Sequence, residues 1–213
     1  CAELNVFSSI FSGGYNQYNE EILDTNSNLY SFSPEICFLV LDTRNILENL
    51  FYSPYSISDD ERKKFIENKA IELANLIKFF VDKSQSKLIV TNFVPPTYSP
   101  YGIFESKTNY GFQEMIYDLN HKLLQEFKNN PLVYVFDFNG FVTTLGQNNI
   151  FDYRQYYFGD VRISLEKIPY LANAFMSYVK PILGLSRKCI VLDLDNILWG
   201  GIIGEDGFNG IKL

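Results

Sequence analysis

Three short apolar runs, separated by longer amphipathic stretches, constrain the fold of this chain more than any other feature. The runs cover residues 35–41, 87–94 and 132–138. Each run is continuous rather than alternating, which is typical of strands that are covered on both faces. Strands that alternate with helices form right-handed crossovers and a parallel sheet. The pattern therefore predicts an α/β fold with a three-layer, doubly wound parallel sheet.

The stretches that follow these runs have the periodicity of helices. Ser58 and Glu61 form a capping box that begins the first long helix, and apolar positions continue this helix to about residue 83. The same periodicity predicts helices over residues 112–127 and 164–182, the last of them capped by Ser164. These helices supply the two outer layers of the predicted fold.

The remaining segments complete the predicted domain organisation. Residues 2–11 are predicted to form a strand, and residues 140–160 an irregular, aromatic-rich segment. A last apolar run, residues 189–194, predicts a strand that begins a new unit. We therefore expect one domain over residues 1–184 and the start of a second α/β domain over residues 185–213.

Composition excludes several classes of function. The net charge of −7 disfavours electrostatic binding of nucleic acid. The apolar runs are too short for a transmembrane helix, so no membrane partner is expected. Cys1, Cys37 and Cys189 lack the spacing of a metal site or of a disulfide framework, and the last two fall in predicted buried strands. We expect reduced thiols and a cytoplasmic location.

Asp193 and Asp195 follow the last apolar run at a spacing of two residues. Side chains at that spacing face the same side of an extended strand. Two acids on one side of a strand end suit a nucleophile paired with a proton donor, or a site for a hard cation. A pair of strand-end acids without any chemistry is the alternative.

Two other segments are weaker candidates for a site. Residues 42–45 follow the first buried run, at the edge of the sheet where ligands bind in open α/β folds. A helix N-terminus capped by Asp42 or Thr43 is the alternative interpretation. The aromatic loop over residues 98–104 is either a flap that faces a partner or a packed surface loop.

The sequence around the two acids resembles a known family. Residues 188–207, KCIVLDLDNILWGGIIGEDG, resemble the start of the phosphatase-like domain of the FkbH-like family, which is subfamily IIIC of the haloacid dehalogenase superfamily. Residues 15–42 are similar to the amino-terminal domain of that family. Shorter matches between these two segments are Asn92 with Pro95-Pro96, Leu119-Asn120 and Asp152-Tyr153-Arg154.

The resemblance implies a specific chemistry. Asp193 would attack a phosphoryl group and Asp195 would act as the general acid/base. Mg²⁺ would bind the carboxylate of Asp193 and the backbone carbonyl of Asp195, because two negative groups that react must have their repulsion reduced. Ile197 departs from the family, which usually has Thr there and gains a hydrogen bond from its hydroxyl. The chain by itself is expected to lack the later residues of the site and to be inactive.

The resemblance also implies a substrate class and partners. The expected activity is that of a phosphatase or a glyceryl transferase, which uses a phosphorylated small-molecule donor. The expected acceptor is an acyl carrier protein, and a related role in polysaccharide biosynthesis is the other option within the family.

The amino-terminal domain of the family is similar in fold to SGNH hydrolases and to flavodoxin-like proteins, and its first strand is expected to precede this chain. Hydrolases of that fold need a D-x-x-H block before the last helix. That block begins here at Asp160, but Ile163 holds the histidine position and cannot accept a proton. His121 also follows an aspartate at this spacing, yet it falls inside a predicted helix. A non-catalytic docking module and an SGNH-type esterase are the alternatives to the phosphatase hypothesis.

Overall fold

The computed structural model describes residues 8–186, 189, 193–194, 196–210 and 212. The chain divides into two compact units, residues 1–179 and 180–213. The expected domain boundary after residue 184 stays a prediction. Among the described residues, the helices are all too short or too polar to cross a lipid bilayer.

The first unit is built on a parallel sheet of three strands in the order β1-β2-β3. Strand β1 is Ile36–Leu39, β2 is Lys87–Thr91 and β3 is Val133–Phe136. In the register of the sheet, Leu88 of β2 lies between Cys37 of β1 and Val133 of β3. Each strand lies within one of the predicted apolar runs, so the predicted α/β class is confirmed.

Helices surround this sheet. They are α1 (Tyr18–Leu23), α2 (Asn28–Phe32), α3 (Thr43–Leu47), α4 (Asn49–Tyr52), α5 (Asp59–Ser84), α6 (Phe112–Phe127), α7 (Phe138–Leu145), α8 (Gln147–Ile150), α9 (Tyr153–Gly159) and α10 (Ile168–Ile182), with 3₁₀ turns at Gly102–Lys107 and Leu165–Lys167. Helix α5 connects β1 to β2, and α6 connects β2 to β3, as in a β-α-β-α-β chain.

The two crossover helices cover one face of the sheet. Ile77 and Phe80 of α5 and Ile116 of α6 are fully buried in the same apolar cluster as Leu88 and Val90 of β2. Residues Leu88 and Val90 are two apart, so they point to the same face of their strand. This cluster is the main core of the first unit.

Helix α10 covers the opposite face. The ring of Phe175 lies with its centroid 4.8 Å from those of Phe38 and Phe136, which belong to the two outer strands. The Tyr178 hydroxyl donates to the backbone carbonyl of Val135 over 3.3 Å. Helices on both faces of a parallel sheet make the three-layer arrangement that the sequence predicts.

The start of α5 is set by its cap. The Ser58 hydroxyl accepts a hydrogen bond from the backbone N–H of Glu61 over 3.3 Å, and the Glu61 carboxylate accepts from the backbone N–H of Ser58 over 2.9 Å. This reciprocal pair satisfies two of the amides that a helix start leaves open. The predicted capping box is confirmed.

The segment 140–160 is not irregular, and that prediction is wrong. It contains most of α7 and all of α8 and α9. Asp137 accepts from the backbone N–H of Gly140 over 2.9 Å, and Asp152 accepts from that of Gln155 over 3.1 Å. These caps begin short helices whose aromatic, Gly and Thr content gives them little intrinsic helix propensity.

The start of α10 also differs from its prediction. The Ser164 hydroxyl makes no capping hydrogen bond, and a 3₁₀ turn at Leu165–Lys167 precedes the helix. The backbone carbonyl of Ser164 instead accepts from the N–H of Lys167 over 2.8 Å, which closes that turn. The 3₁₀ turn is tighter than an α-helical turn, and its acceptor is the backbone carbonyl of Ser164 rather than the predicted side-chain hydroxyl.

Parts of the two terminal strand predictions lie outside the described residues, namely residues 2–7 and 190–192. Residues 8–11 and 193–194 are described and form no strand. Cys189 is exposed, which corrects its predicted burial, because none of the described residues pairs with it as a neighbouring strand. In the second unit, Gly200 and Lys212 form an antiparallel bridge, and helix α11 covers Ile203–Gly210.

Candidate functional site

Polar side chains follow each strand of the sheet at the edge where the strands end. Asp42 lies shortly after β1, Asn92 directly follows β2, and Asp137 directly follows β3. The Asn92 amide donates to Oδ1 of Asp137 over 2.8 Å, and its oxygen accepts from the backbone N–H of Asn139 over the same distance. The carboxyl edge of an open parallel sheet is the usual place for a ligand.

Asp42 is the central acid of this edge. Its Oδ1 accepts a hydrogen bond of 2.8 Å from the backbone N–H of Arg44, so Asp42 caps α3. The same oxygen accepts a second bond, also of 2.8 Å, from the hydroxyl of Tyr156. The sequence interpretation of Asp42 as a helix cap is therefore correct, and the contact with α9 adds a tertiary role to it.

Two arginines complete the cluster. The guanidinium of Arg44 lies 4.5 Å above the ring of Tyr156 and forms an ion pair with Asp160. The guanidinium of Arg162 lies 4.5 Å above the ring of Phe151, and its Nη1 is 3.7 Å from Oδ2 of Asp42. Two cations and two carboxylates therefore meet here, and their formal charges balance.

The tyrosines of this cluster are hydrogen-bond donors at neutral pH. Burial, reinforced by the Asp42 carboxylate, raises the pKa of Tyr156 above its ordinary range. Burial and the hydrogen bond with Tyr98 raise the pKa of Tyr157 to about 12. Both hydroxyls consequently keep their protons under physiological conditions.

The structure forms no hydrolase pair at either D-x-x-H position. Asp160 pairs with Arg44, and Ile163 forms an antiparallel bridge with Phe151. His121 is exposed on α6, as predicted, and is the one histidine of the sequence. Asp118, three residues before it, accepts a hydrogen bond of 2.6 Å from Tyr110.

The second unit holds the two acids that the sequence singles out. The side chain of Asp193 is exposed, and Asp195 lies outside the described residues. The catalytic pairing of Asp193 with Asp195 and their joint binding of Mg²⁺ stay predictions.

A closed loop follows the acids. The residue that closes it, Asn196, was not identified by the sequence analysis. Asn196 has φ of 57° and its side-chain oxygen accepts from the backbone N–H of Gly201 over 2.9 Å. Its own N–H donates to the Gly201 carbonyl over 3.3 Å. Ile197, the position that departs from the family, is 64% exposed. Asparagine tolerates positive φ better than most residues, and an Asn shortly before a Gly pair was the available signal.

The second unit offers one described carboxylate as a candidate ligand for a hard cation. Asp193 offers carboxylate oxygens, which Mg²⁺ prefers, and its exposure leaves them accessible. Within the described part of the chain, no group of three His, Cys, Asp or Glu side chains could hold a metal ion. Mg²⁺ binds through one or two carboxylates and keeps several waters, so a sparse set of protein ligands suits it.

Comparison with known proteins identifies the family. A model of the FkbH N-terminal domain matches residues 2–180. The chain belongs to the FkbH N-terminal domain family. A search of curated proteins found no match.

A solved structure supports the fold of this FkbH-family chain. It is described as the N-terminal part of the protein BF1531 from Bacteroides fragilis, containing a phosphatase domain and complexed with Mg. The match has a TM-score of 0.74 and 24% sequence identity, and it covers 95% of this chain. The chain spans 52% of that structure's chain. The fold of this chain is thus shared with an experimental structure.

Proposed function

We propose that this FkbH-family chain belongs to a Mg²⁺-dependent phosphatase or phosphotransferase that acts on a phosphorylated small molecule. The observation that carries the proposal is the exposed Asp193 at the entrance to the loop that Asn196 and Gly201 close. The BF1531 structure, which contains a phosphatase domain and is complexed with Mg, supports the same class of chemistry. The net charge of −7 argues against a nucleic-acid substrate.

The proposed roles of the acids follow from their chemistry. Asp193 attacks the phosphorus atom with a carboxylate oxygen, which forms an acyl phosphate and expels the leaving oxygen. Asp195 gives its proton to that leaving oxygen and later takes one from the water or acceptor that attacks the acyl phosphate. Asn196 closes the loop that follows them in the sequence. Bound Mg²⁺ would reduce the repulsion between the Asp193 carboxylate and the phosphoryl oxygens.

The identity of the acceptor rests on fewer observations than the roles of the two acids. An acyl carrier protein as acceptor of a glyceryl unit rests only on the resemblance of residues 15–42 and 188–207 to the FkbH-like family. Hydrolysis, with water as acceptor, needs the same two acids. Hydrolysis releases inorganic phosphate, which a phosphate assay detects, whereas transfer to another acceptor is followed by the loss of the donor.

The test is Mg²⁺-dependent phosphate release from small phosphate monoesters by the intact protein that carries this chain. We expect Asp193→Asn to abolish turnover, because an amide is not a nucleophile here, and Asp195→Asn to slow it strongly. Glu205→Gln, which removes an exposed carboxylate of the same unit, is the matched control and should leave the rate unchanged. Equal rates for the wild type and Asp193→Asn would refute the assignment.

A second function is proposed for residues 8–179, as a binding module without hydrolase activity. The ion pair between Asp160 and Arg44 favours a binding module, because the Asp160 carboxylate is paired with an arginine rather than with a catalytic base. Ile163 at the position of the base favours it too. We expect a fluorophosphonate probe to leave this chain unlabelled, whereas covalent labelling of a serine would show an esterase instead.

A further inference from the structure

Arg162 carries a buried hydrogen-bond donor that none of the described residues uses. Its side chain is 14% exposed, and its Nε is buried without a partner among residues 8–186 and the other described positions. Oδ2 of Asp42 lies 3.7 Å from Nη1, which is longer than a hydrogen bond. Buried donors are nearly always paired in native proteins, and an unpaired one destabilises the folded state. An acceptor from outside the chain would remove this destabilisation.

Arg62 shows how the same chain pairs a buried arginine whose role is structural. Its residue is 4% exposed. Nε donates to the carbonyl of Tyr110 over 3.0 Å, Nη1 to that of Ile57 over 2.7 Å and Nη2 to that of Asn109 over 2.8 Å. Each of its three nitrogens has an acceptor, whereas Arg162 donates no hydrogen bond to any residue that the structure describes.

Aromatic rings hold the Arg162 guanidinium in place. Its central carbon lies 4.5 Å from the ring centre of Phe151, 5.4 Å from that of Phe138 and 5.8 Å from that of Tyr156. These cation–π contacts restrain the guanidinium, whose N–H groups point along the edge of its plane, where a planar acceptor can bind. The donor is therefore fixed before any ligand arrives.

A small cavity adjoins this group. It measures about 20 Å³ and is lined by Arg162, Gln147 and four tyrosines, Tyr98, Tyr153, Tyr156 and Tyr157, among others. A cavity of this size holds about one water-sized group. The hydroxyls of Tyr98 and Tyr157 lie 3.5 Å apart, and both side chains are about half exposed, so they form its rim.

The neighbouring carboxylate is ion-paired with Arg162 at 3.7 Å but makes no hydrogen bond with it. Oδ1 of Asp42 already accepts from the backbone of Arg44 and from the Tyr156 hydroxyl. Asp160, the other carboxylate of the cluster, pairs with the Arg44 side chain. A second anion can consequently approach the edge of Arg162 without taking a hydrogen bond from either carboxylate.

We propose that Arg162 and the hydroxyls of Tyr98 and Tyr157 bind the oxyanion, carboxylate or phosphate, of a small ligand. The oxyanion accepts from the guanidinium edge, and the rest of the ligand lies at the exposed rim. Tyr98 and Tyr157 separate to admit it and exchange their mutual contact of 3.5 Å for hydrogen bonds to the oxyanion. Charge-assisted hydrogen bonds to a planar guanidinium suit either oxyanion. The site is formed within the first unit, and its test does not depend on phosphatase activity.

The experiment follows the Nε–H signal of Arg162 by ¹H–¹⁵N NMR of the full chain. Phenyl phosphate and benzoate are the probes, because they present two oxyanions on one aromatic body, and benzamide is the neutral comparison. We expect a saturable shift of this signal with at least one of the anions and none with benzamide. Saturation by only one anion identifies the natural class as a phosphate ester or as a carboxylate.

Variants separate binding from folding. Arg162→Lys should weaken anion binding about tenfold, since one point charge replaces a planar fork. Arg154→Gln removes an exposed charge from α9 and is the matched control, which should bind as the wild type does. Tyr157→Phe, which deletes one rim hydroxyl, should also weaken binding and provides a readout if Arg162→Lys fails to fold. A Nε–H signal that neither anion shifts would overturn the proposal and leave a single water as the acceptor.

Discussion

The hydroxyl of Tyr156 donates a hydrogen bond of 2.8 Å to the carboxylate of Asp42, across 114 positions of the sequence. This bond joins α9 to the end of β1. It also places Tyr156 between the two arginines, because both guanidinium groups lie within 6 Å of its ring centre. Neither segment has this partner in its local sequence, so the contact exists only in the folded protein.

Removal of this hydroxyl should therefore lower stability. We expect Tyr156→Phe to reduce the free energy of unfolding by about 1–2 kcal/mol, because a partly buried carboxylate loses one of its two donors. Urea denaturation followed by circular dichroism measures the change. Tyr117→Phe is the control, since Tyr117 is 53% exposed on α6 and its hydroxyl can reach water. An unchanged midpoint for Tyr156→Phe would show that the bond is energetically neutral.

The buried phenols predict a loss of stability at alkaline pH. Burial, together with nearby carboxylates, raises the pKa of Tyr110 and Tyr156 in the folded state, and burial with Tyr98 raises that of Tyr157 to about 12. A raised folded-state pKa contributes stability that is complete below the unfolded value of about 10 and is lost as the pH rises above it.

Spectrophotometric titration and urea denaturation between neutral pH and about pH 11 test this linkage. We expect the free energy of unfolding to fall once the pH exceeds about 10. The fall should be smaller in a variant with Tyr110→Phe and Tyr156→Phe. Tyr15→Phe, at a 68% exposed position, should leave the slope unchanged.

The environment of Glu105 predicts that the free energy of unfolding also falls at acid pH. Burial alone would raise its pKa, but hydrogen bonds from Ser99, Tyr55 and the backbone N–H of Gln113 outweigh it and hold the pKa below the ordinary value. Its contribution is therefore present above the unfolded pKa of about 4.3 and is lost as the pH falls through the folded value.

The variant Glu105→Gln tests this role. We expect its Tm at neutral pH to be lower than that of the wild type by about 3 °C, since an amide accepts these bonds more weakly. The difference should shrink as the pH falls below the unfolded pKa of about 4.3 and through the lower folded value, where the carboxylate becomes protonated. Glu20→Gln, on the exposed surface of α1, is the control. A Tm difference that does not change with pH would contradict an electrostatic origin.

Asn196 should determine the order of the loop after Asp193. We expect Asn196→Ala to speed hydrogen exchange of the Gly201 amide about tenfold, because the side-chain acceptor is lost and alanine disfavours the positive φ. Asn196→Gly keeps that backbone conformation and should have a smaller effect. Ile197→Thr is the control, because Ile197 is exposed and contributes no acceptor to Gly201. Equal protection in all variants would show that the loop closes without this side chain.

Local sequence was sufficient for the main elements of the fold. The continuous apolar runs predict β1, β2 and β3, because strands covered on both faces need no polar positions. Ser58 and Glu61 predict the start of α5, since a capping box is made within four residues. Helices α7 to α9 were missed because their residues have weak propensity, and their formation depends on the caps at Asp137 and Asp152 and on packing.

The contacts of the candidate site around Asp42 were established only by the tertiary structure. The sequence identifies Asp42 as a helix cap and Asp160 as the start of a degenerate D-x-x-H block, but it gives no reason to connect them. In the folded chain, Asp42 meets Tyr156 and Arg162, and Asp160 meets Arg44, over separations of more than 100 residues. Helix periodicity and helix caps depend on residues that are close in sequence, so they can be recognised along the chain. The partner of a buried charge depends on which segments the parallel sheet brings together at its carboxyl edge, and this is known only from the tertiary structure.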